Sequence, residues 1–226
     1  MTENTSTHLI VIVDRSGSMS SIRDDMVGGL QEFLDRQREL PGELTIDWVQ
    51  FDDTAEFVHR GANAADVTVV LEPRGSTALY DAIGLALNDY SARYDAMATD
   101  ARPTNVQVVI VTDGEENSST EYSTETVRGL IGANSARGFE FVYLGANQDA
   151  VLVARNIGIR ADSAMSFAPR GAASRRSMEH LNRFTTDVRN SRRTGFTDDE
   201  RETSMSDDFI AIETFNDDPD ANSDVR

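Results

Sequence analysis

Neither cysteine nor lysine occurs anywhere in the 226 residues. Without cysteine there are no disulfides and no thiolate metal sites, which argues against a disulfide-stapled extracellular module. Without lysine no phosphate-binding loop ending in Gly-Lys is possible, and all 21 basic residues are arginine, a composition that fits a GC-rich genome such as that of an actinobacterium or one of its phages. No run of about eighteen apolar residues is present, so no membrane span is expected. The polar start Met1-Thr2-Glu3-Asn4-Thr5-Ser6-Thr7 lacks the basic-then-apolar pattern of a secretory signal, which makes the cytoplasm the expected location. The histidines His8, His59 and His180 form no His-Glu-x-x-His pair, and no Gly-x-Ser-x-Gly elbow occurs. An enzyme is therefore not expected, a metal-dependent hydrolase being the remaining catalytic alternative.

Positive charge is also scarce: 39 acidic against 21 basic residues leave a net charge of −18, which disfavours nucleic acid and anionic membranes and favours cations and basic partner surfaces. A hydrophobic fraction of 39% suffices for a core of one soluble domain with an appendage.

What is present begins with Leu9-Ile10-Val11-Ile12-Val13, an apolar, mostly β-branched run that reads as a strand buried on both faces. It runs into Asp14-Arg15-Ser16-Gly17-Ser18, so a carboxylate stands at the strand tip, where open α/β sheets place their ligands. Alternate spacing brings the oxygens of Asp14, Ser16 and Ser18 to one side of a tight turn. Carboxylate and hydroxyl oxygens suit a hard divalent cation, Mg²⁺ or Mn²⁺, with Ca²⁺ a further option.

The remaining chain alternates strand and helix patterns. Helices are predicted over Ser21–Leu40, Leu79–Ala98, Ser123–Ala136 and Gln148–Ile157. Strands are predicted over Glu43–Phe51, Val106–Thr112, Phe139–Leu144 and Ala164–Phe167, with Ala55–Arg60 returning as an antiparallel edge strand after the turn Asp52-Asp53-Thr54. This alternation predicts an α/β, doubly wound, Rossmann-like sheet with helices on both faces.

Three separated motifs, in order, carry a family resemblance. They are Asp14-Arg15-Ser16-Gly17-Ser18; Arg74-Gly75-Ser76-Thr77-Ala78-Leu79-Tyr80-Asp81, with Ser76 where the family has a second Gly; and Thr112-Asp113-Gly114-Glu115. Over about three quarters of its length, to about Arg170, the chain resembles a von Willebrand factor A domain of the intracellular bacterial or phage type, with a complete metal-ion-dependent adhesion site. The resemblance implies a mostly parallel six-stranded sheet of order 3-2-1-4-5-6 with strand 3 antiparallel. It implies that Asp14, Ser16, Ser18, Thr77 and Asp113 hold the metal, directly or through water, and that a partner's Asp or Glu takes an open position. It also implies an AAA-type ATPase as a partner class. A rim of Arg15, Ser76, Gly114, Glu115, Asn147, Gln148 and Asp149 is expected around the metal, although Asn147 or Asp149 equally suits a helix cap, and Glu115, Glu116 and Asn117 are read first as plain solvated loop residues.

The expected organisation is a polar segment at 1–7, the domain at 8–170, a basic amphipathic helix at 171–194 and an acidic, flexible tail at 195–226. Phe209-Ile210-Ala211-Ile212 and Phe215 interrupt that tail, which suggests a docking element for self-association through 196–226, for covering its own metal site, or for laying its acidic residues against the Arg-rich helix. Two readings follow: a metal-dependent interaction module, or a structural or assembly protein, phage-associated, whose tail links copies.

Overall fold

The computed structural model describes residues 5–146, 148–192 and 195–206. Six strands form one sheet: β1 (Ser6–Asp14), β2 (Glu43–Phe51), β3 (Ala55–Asn63), β4 (Asn105–Thr112), β5 (Glu140–Ala146) and β6 (Ala164–Phe167). Their order is β3-β2-β1-β4-β5-β6, and only β3 runs antiparallel, as expected. The helices are α1 (Arg23–Glu39), α2 (Leu79–Ala96), α3 (Thr124–Ser135), α4 (Ala150–Asn156), α5 (Gly171–Arg189) and α6 (Asp198–Met205).

The period-2 alternation of β1 explains its unbroken apolar run. Leu9, Val11 and Val13 enter one core with residues of α1 and α5, while Ile10 and Ile12 enter a second with residues of α2, α3 and α4. A central strand covered by helices on both faces has no solvent side to mark with polar residues. The edge strand β3 has one, and its residues alternate between partly buried and exposed. Helices α1 and α5 approach closely because Gly29 presents no side chain: a Cβ there would stand 2.5 Å from Cγ of Met178.

The C-terminal part departs from the expected boundaries. The segment read as a flexible tail from 195 begins instead with Phe196, buried with its ring tilted against that of Phe184 of α5 at 4.9 Å between centroids, and with α6. Helix α6 carries a capping box, in which the Thr197 side chain accepts from Glu200 N–H and the Glu200 carboxylate accepts from Thr197 N–H. Glu200 is buried and pairs with Arg183 of α5 at 2.7 Å; Arg201 donates to the carbonyls of Ala161 and Ala164. Composition averaged over the whole acidic stretch hid a helix whose start signal, Thr-x-x-Glu, is local. Residues 207–226, including Phe209 to Phe215, lie outside the described residues.

Part of the basic face of α5 is engaged within the chain. Arg176 donates to the carbonyls of Thr203 and Ser206, and the buried Arg189 donates to the Gln37 carbonyl at 2.8 Å and to its Oε1 at 3.0 Å. Burial holds the Arg189 guanidinium below its ordinary pKa. Among the described residues no helix is long and apolar enough to cross a membrane.

Candidate metal centre

Register sets the site. Pairing of Val13 with Val111 places the tips of β1 and β4 side by side, so Asp14 and Asp113 stand at neighbouring strand ends. Between them, Ser18 Oγ donates to Asp113 Oδ1 at 2.6 Å, and the hydroxyls of Ser16 and Ser18 are 3.0 Å apart. Asp14 Oδ1 accepts from Ser16 N–H at 2.6 Å, and Asp14 Oδ2 accepts from the Thr112 hydroxyl at 2.6 Å. Thr77 and Ser18 border the space over Gly114: a Cβ on that glycine would lie 3.0 Å from Thr77 Oγ1 and 3.7 Å from Ser18 Oγ. Gly114 therefore keeps the cradle open. Asp14, Ser16, Thr77 and Asp113 are buried, whereas Ser18 and Ser76 are exposed, so the cup opens at its Ser18 side.

The donor set fits a hard cation. Asp113 Oδ2 is buried and has no hydrogen-bond partner, an arrangement that costs free energy unless something positive faces it. Burial also pushes the Asp14 carboxyl up to about 6, with the hydrogen bonds from Thr112 and Ser16 offsetting part of the rise, and it raises Asp113 in the same direction. Two buried carboxylates held against their own charge, with neutral hydroxyls around them, match a divalent ion that leaves positions for water or a ligand. Mg²⁺ or Mn²⁺ would be held by Asp14, Ser16, Ser18, Thr77 and Asp113. Among the described residues no group of three or more His, Cys, Asp or Glu is arranged for a metal, so any centre here depends on hydroxyls.

The rim differs in part from expectation. Arg15 is turned away from a partner: it is buried, its Nε donates to Asp52 Oδ2 at 2.9 Å, and its Nη1 pairs with Glu56. The reason is local charge, because the β2–β3 turn brings Asp52 under the β1 loop. Burial works against the Asp52 carboxylate, but bonds from Arg74, Thr54 N–H and Arg15 outweigh it and hold that group below its ordinary pKa. Gln148 buttresses the cup, donating from Nε2 to the Gly114 carbonyl at 3.1 Å. Asp149 caps α4, accepting from Leu152 N–H at 3.0 Å. Ser76 and Glu115 are exposed, Ser76 N–H donating to Asp53 Oδ1 at 2.9 Å. Asn147 lies outside the described residues.

Two residues read as plain loop have structural tasks at the site. Asn117 Oδ1 accepts from Thr77 N–H at 3.0 Å while its own N–H donates to the Thr77 carbonyl at 3.1 Å, fixing Thr77 over the cup. Glu116 accepts from the N–H groups of Tyr80, Ser118 and Ser119, closing the loop onto the start of α2. The sequence signal was their position directly after Asp113-Gly114, where a polar run of the right length meets the Thr77 loop. Asn117→Ala is expected to weaken Mg²⁺ or Mn²⁺ binding about tenfold, with little loss of thermal stability, when titrated by calorimetry beside the wild type.

No protein-family profile matches the chain, and no curated protein matches it in sequence. Solved structures do match in fold. Proximal thread matrix protein 1 from the mussel byssus aligns at 16% identity and TM-score 0.56 over 83% of this chain and 46% of its own. A von Willebrand factor type A protein from Catenulispora acidiphila aligns at 18% and 0.56 over 80% and 43%, and the vWF domain of the type V pili tip protein Mfa5 from Porphyromonas gingivalis at 10% and 0.59 over 86% and 99%. The chain thus spans less than half the length of the first two and nearly all of the third. Together with the strand order, these likenesses define the fold as that of a von Willebrand factor A domain.

Proposed function

We propose that this protein is a metal-dependent interaction module that binds a partner's Asp or Glu through a divalent cation, Mg²⁺ or Mn²⁺, held in the Asp14–Asp113 cup. The observation that carries the reading is the buried, unpartnered Asp113 Oδ2 beside Ser18, Ser16 and Asp14 in a cup open on one side. A bound cation supplies the positive charge that attracts the partner's carboxylate. The chain's own residues set the conditions. Ser16 and Ser18 orient hydroxyls without adding negative charge, so the two carboxylates only just balance a dication and leave it attractive to an anion. Asn117 and Gln148 hold the loops that bear Thr77 and Gly114. With −18 overall, the metal-free chain repels an acidic partner, which makes docking conditional on the cation.

Catalysis is not part of this reading. His8 stacks on Tyr90 at 4.2 Å and bonds Thr45 near the start of β1, the opposite end of the strand from Asp14, and His180 sits between α5 and α6 against Thr203. Calorimetric titration with Mg²⁺ and with Mn²⁺ tests the proposal. Saturable binding by the wild type, lost in Asp113→Ala, is the expected result; heat unchanged by the substitution would place any bound metal elsewhere and defeat the reading.

A further inference from the structure

We infer that the protein has a second binding site, at the end of the sheet remote from the metal cup, and that it takes a small uncharged ring compound bearing a carbonyl oxygen. The site is a cleft of about 290 Å³ bounded by the starts of β1 and β2, by Gly61 of β3, by the C-terminal half of α2 and by the loop that follows it. It shares no residue with the cup, so the inference stands independently of the metal-centre reading.

Arg93 supplies the recognition. Its guanidinium is fixed before any ligand arrives: Nε donates to Asp89 Oδ2 at 2.9 Å, Nη2 pairs with Asp47, and Cζ lies 5.0 Å from the centre of the Tyr90 ring. Nη1 makes no hydrogen bond among the described residues, which leaves its two N–H groups for a ligand. It stands beside Gly61, where a Cβ would be 3.6 Å away, and both residues line the cleft. Gly61 has φ +59° and its N–H donates to Asp47 Oδ1 at 2.6 Å; this left-handed conformation favours a residue without a side chain, so the wall beside Nη1 stays bare. Tyr90, one turn before Arg93 on α2, also lines the cleft, and its hydroxyl is buried with no hydrogen-bond partner among the described residues. Two sets of unused donors one turn apart call for an acceptor oxygen.

Charge decides against an anion. Arg93 already answers Asp47 and Asp89, Arg60 pairs with Asp89 as well, and Glu43 stands exposed on the cleft wall, so three carboxylates are set against two guanidiniums. The whole chain adds its −18 to that balance. A cation, in turn, would meet the N–H groups of Nη1. A neutral carbonyl takes the same donors without either penalty. Met97, Ala101 and Pro103 give the cleft an apolar lining, against which a flat ring leaves water. The volume lies close to the lower limit of small-molecule sites, about 300 Å³, which suits a ligand of one or two rings.

The test uses the full chain, isotope-labelled, with N-methyl-2-pyridone as the neutral probe and benzoate and benzylammonium as charged rings of similar size. Amide signals of Thr45, Gly61 and Met97 report the cleft, and that of Gly114 reports the cup. Expected is a saturable shift at the three cleft amides with the pyridone, none at Gly114, and affinity for both charged rings at least about tenfold weaker. Arg93→Lys, which keeps a positive charge beside Asp47 but removes Nη1, should raise the pyridone Kd about tenfold. Ala101→Trp, at an exposed position lining the cleft, should fill it and abolish the shifts without lowering the thermal midpoint. Absence of saturable shifts in the wild type overturns the inference, as does binding that survives Ala101→Trp. Benzoate or benzylammonium bound as tightly as the pyridone overturns the assigned ligand class, and a Kd unmoved by Arg93→Lys overturns the role given to its guanidinium. None of these results depends on whether the cup binds metal.

Discussion

Asp14→Asn should make the metal-free protein more stable at pH 7.5, by about 3 kcal/mol, while abolishing its Mg²⁺ binding. Burial pushes the folded-state carboxyl up to about 6 from a starting value of 3.8. Below pH 3.8 the group is protonated in both folded and unfolded chains and costs nothing. As pH rises through 6 the folded state must ionise a buried acid, and the difference of about two units corresponds to about 3 kcal/mol of stability lost. An amide avoids that ionisation. Its oxygen still accepts from Ser16 N–H, and its NH₂ can donate to the Thr112 hydroxyl, which then turns its own hydrogen to the Gly114 carbonyl 3.0 Å away. Urea unfolding in chelator should therefore show wild type and variant converging near pH 4 and separating by pH 7.5. Adding Mg²⁺ at a hundred times its Kd should restore about 2.7 kcal/mol to the wild type alone. A variant that is less stable than the wild type at pH 7.5 in chelator would mean that Asp14 is satisfied without a cation.

Asp47→Asn should do the reverse and cost about 3 kcal/mol at pH 7. Asp47 is as buried as Asp14 but lies toward the other end of the sheet, where Gly61 N–H donates to its Oδ1 at 2.6 Å, His8 Nε2 stands 3.3 Å from its Oδ2, and Arg93 of α2 pairs with that same oxygen. Burial works to raise its pKa, but His8, Arg93 and the Gly61 bond outweigh it and hold the carboxyl below 3.8. The stability it contributes is complete above pH 3.8 and lost as pH falls through the lower folded value. The gap between wild type and variant should accordingly be full at pH 7 and shrink below about pH 4, measured as the difference in urea midpoints at constant slope. An equal gap at pH 7 and pH 2.5 would show that packing, not charge, is what the substitution removes. The two aspartates separate a structural carboxylate, balanced by cations of its own chain, from one that has no ion-pair partner among the described residues.

The strands and the three motif loops were legible because each is a local pattern. Alternating or unbroken apolar runs fix the strand type, and Asp-x-Ser-x-Ser, Gly-Ser-Thr and Asp-Gly mark the turns at their tips. Arg15 was misread for the opposite reason. Its neighbours in sequence, Asp14 and Ser16, line the candidate cup, but its neighbours in space are Asp52 and Glu56, 37 and 41 positions away. Asn117 was passed over for the same cause, since its partner Thr77 lies 40 positions earlier. Helix α6 had a readable start in Thr197-x-x-Glu200, but its hold on the fold comes from Arg183, Phe184 and the edge of β6, none of which an acidic stretch announces.

By itself, then, the sequence determined the strand and helix order and which oxygen-bearing side chains stand at the strand tips, because periodicity and turn chemistry act over a few residues. Only the tertiary structure decided that Ser18 and Asp113, 95 positions apart, share a hydrogen bond, that one oxygen of Asp113 is buried without a hydrogen-bond partner, and that the end of α6 bonds Ala168 just past β6. Those facts depend on strand register and on burial, which are set by all the packed elements together, and no local stretch of chain contains them.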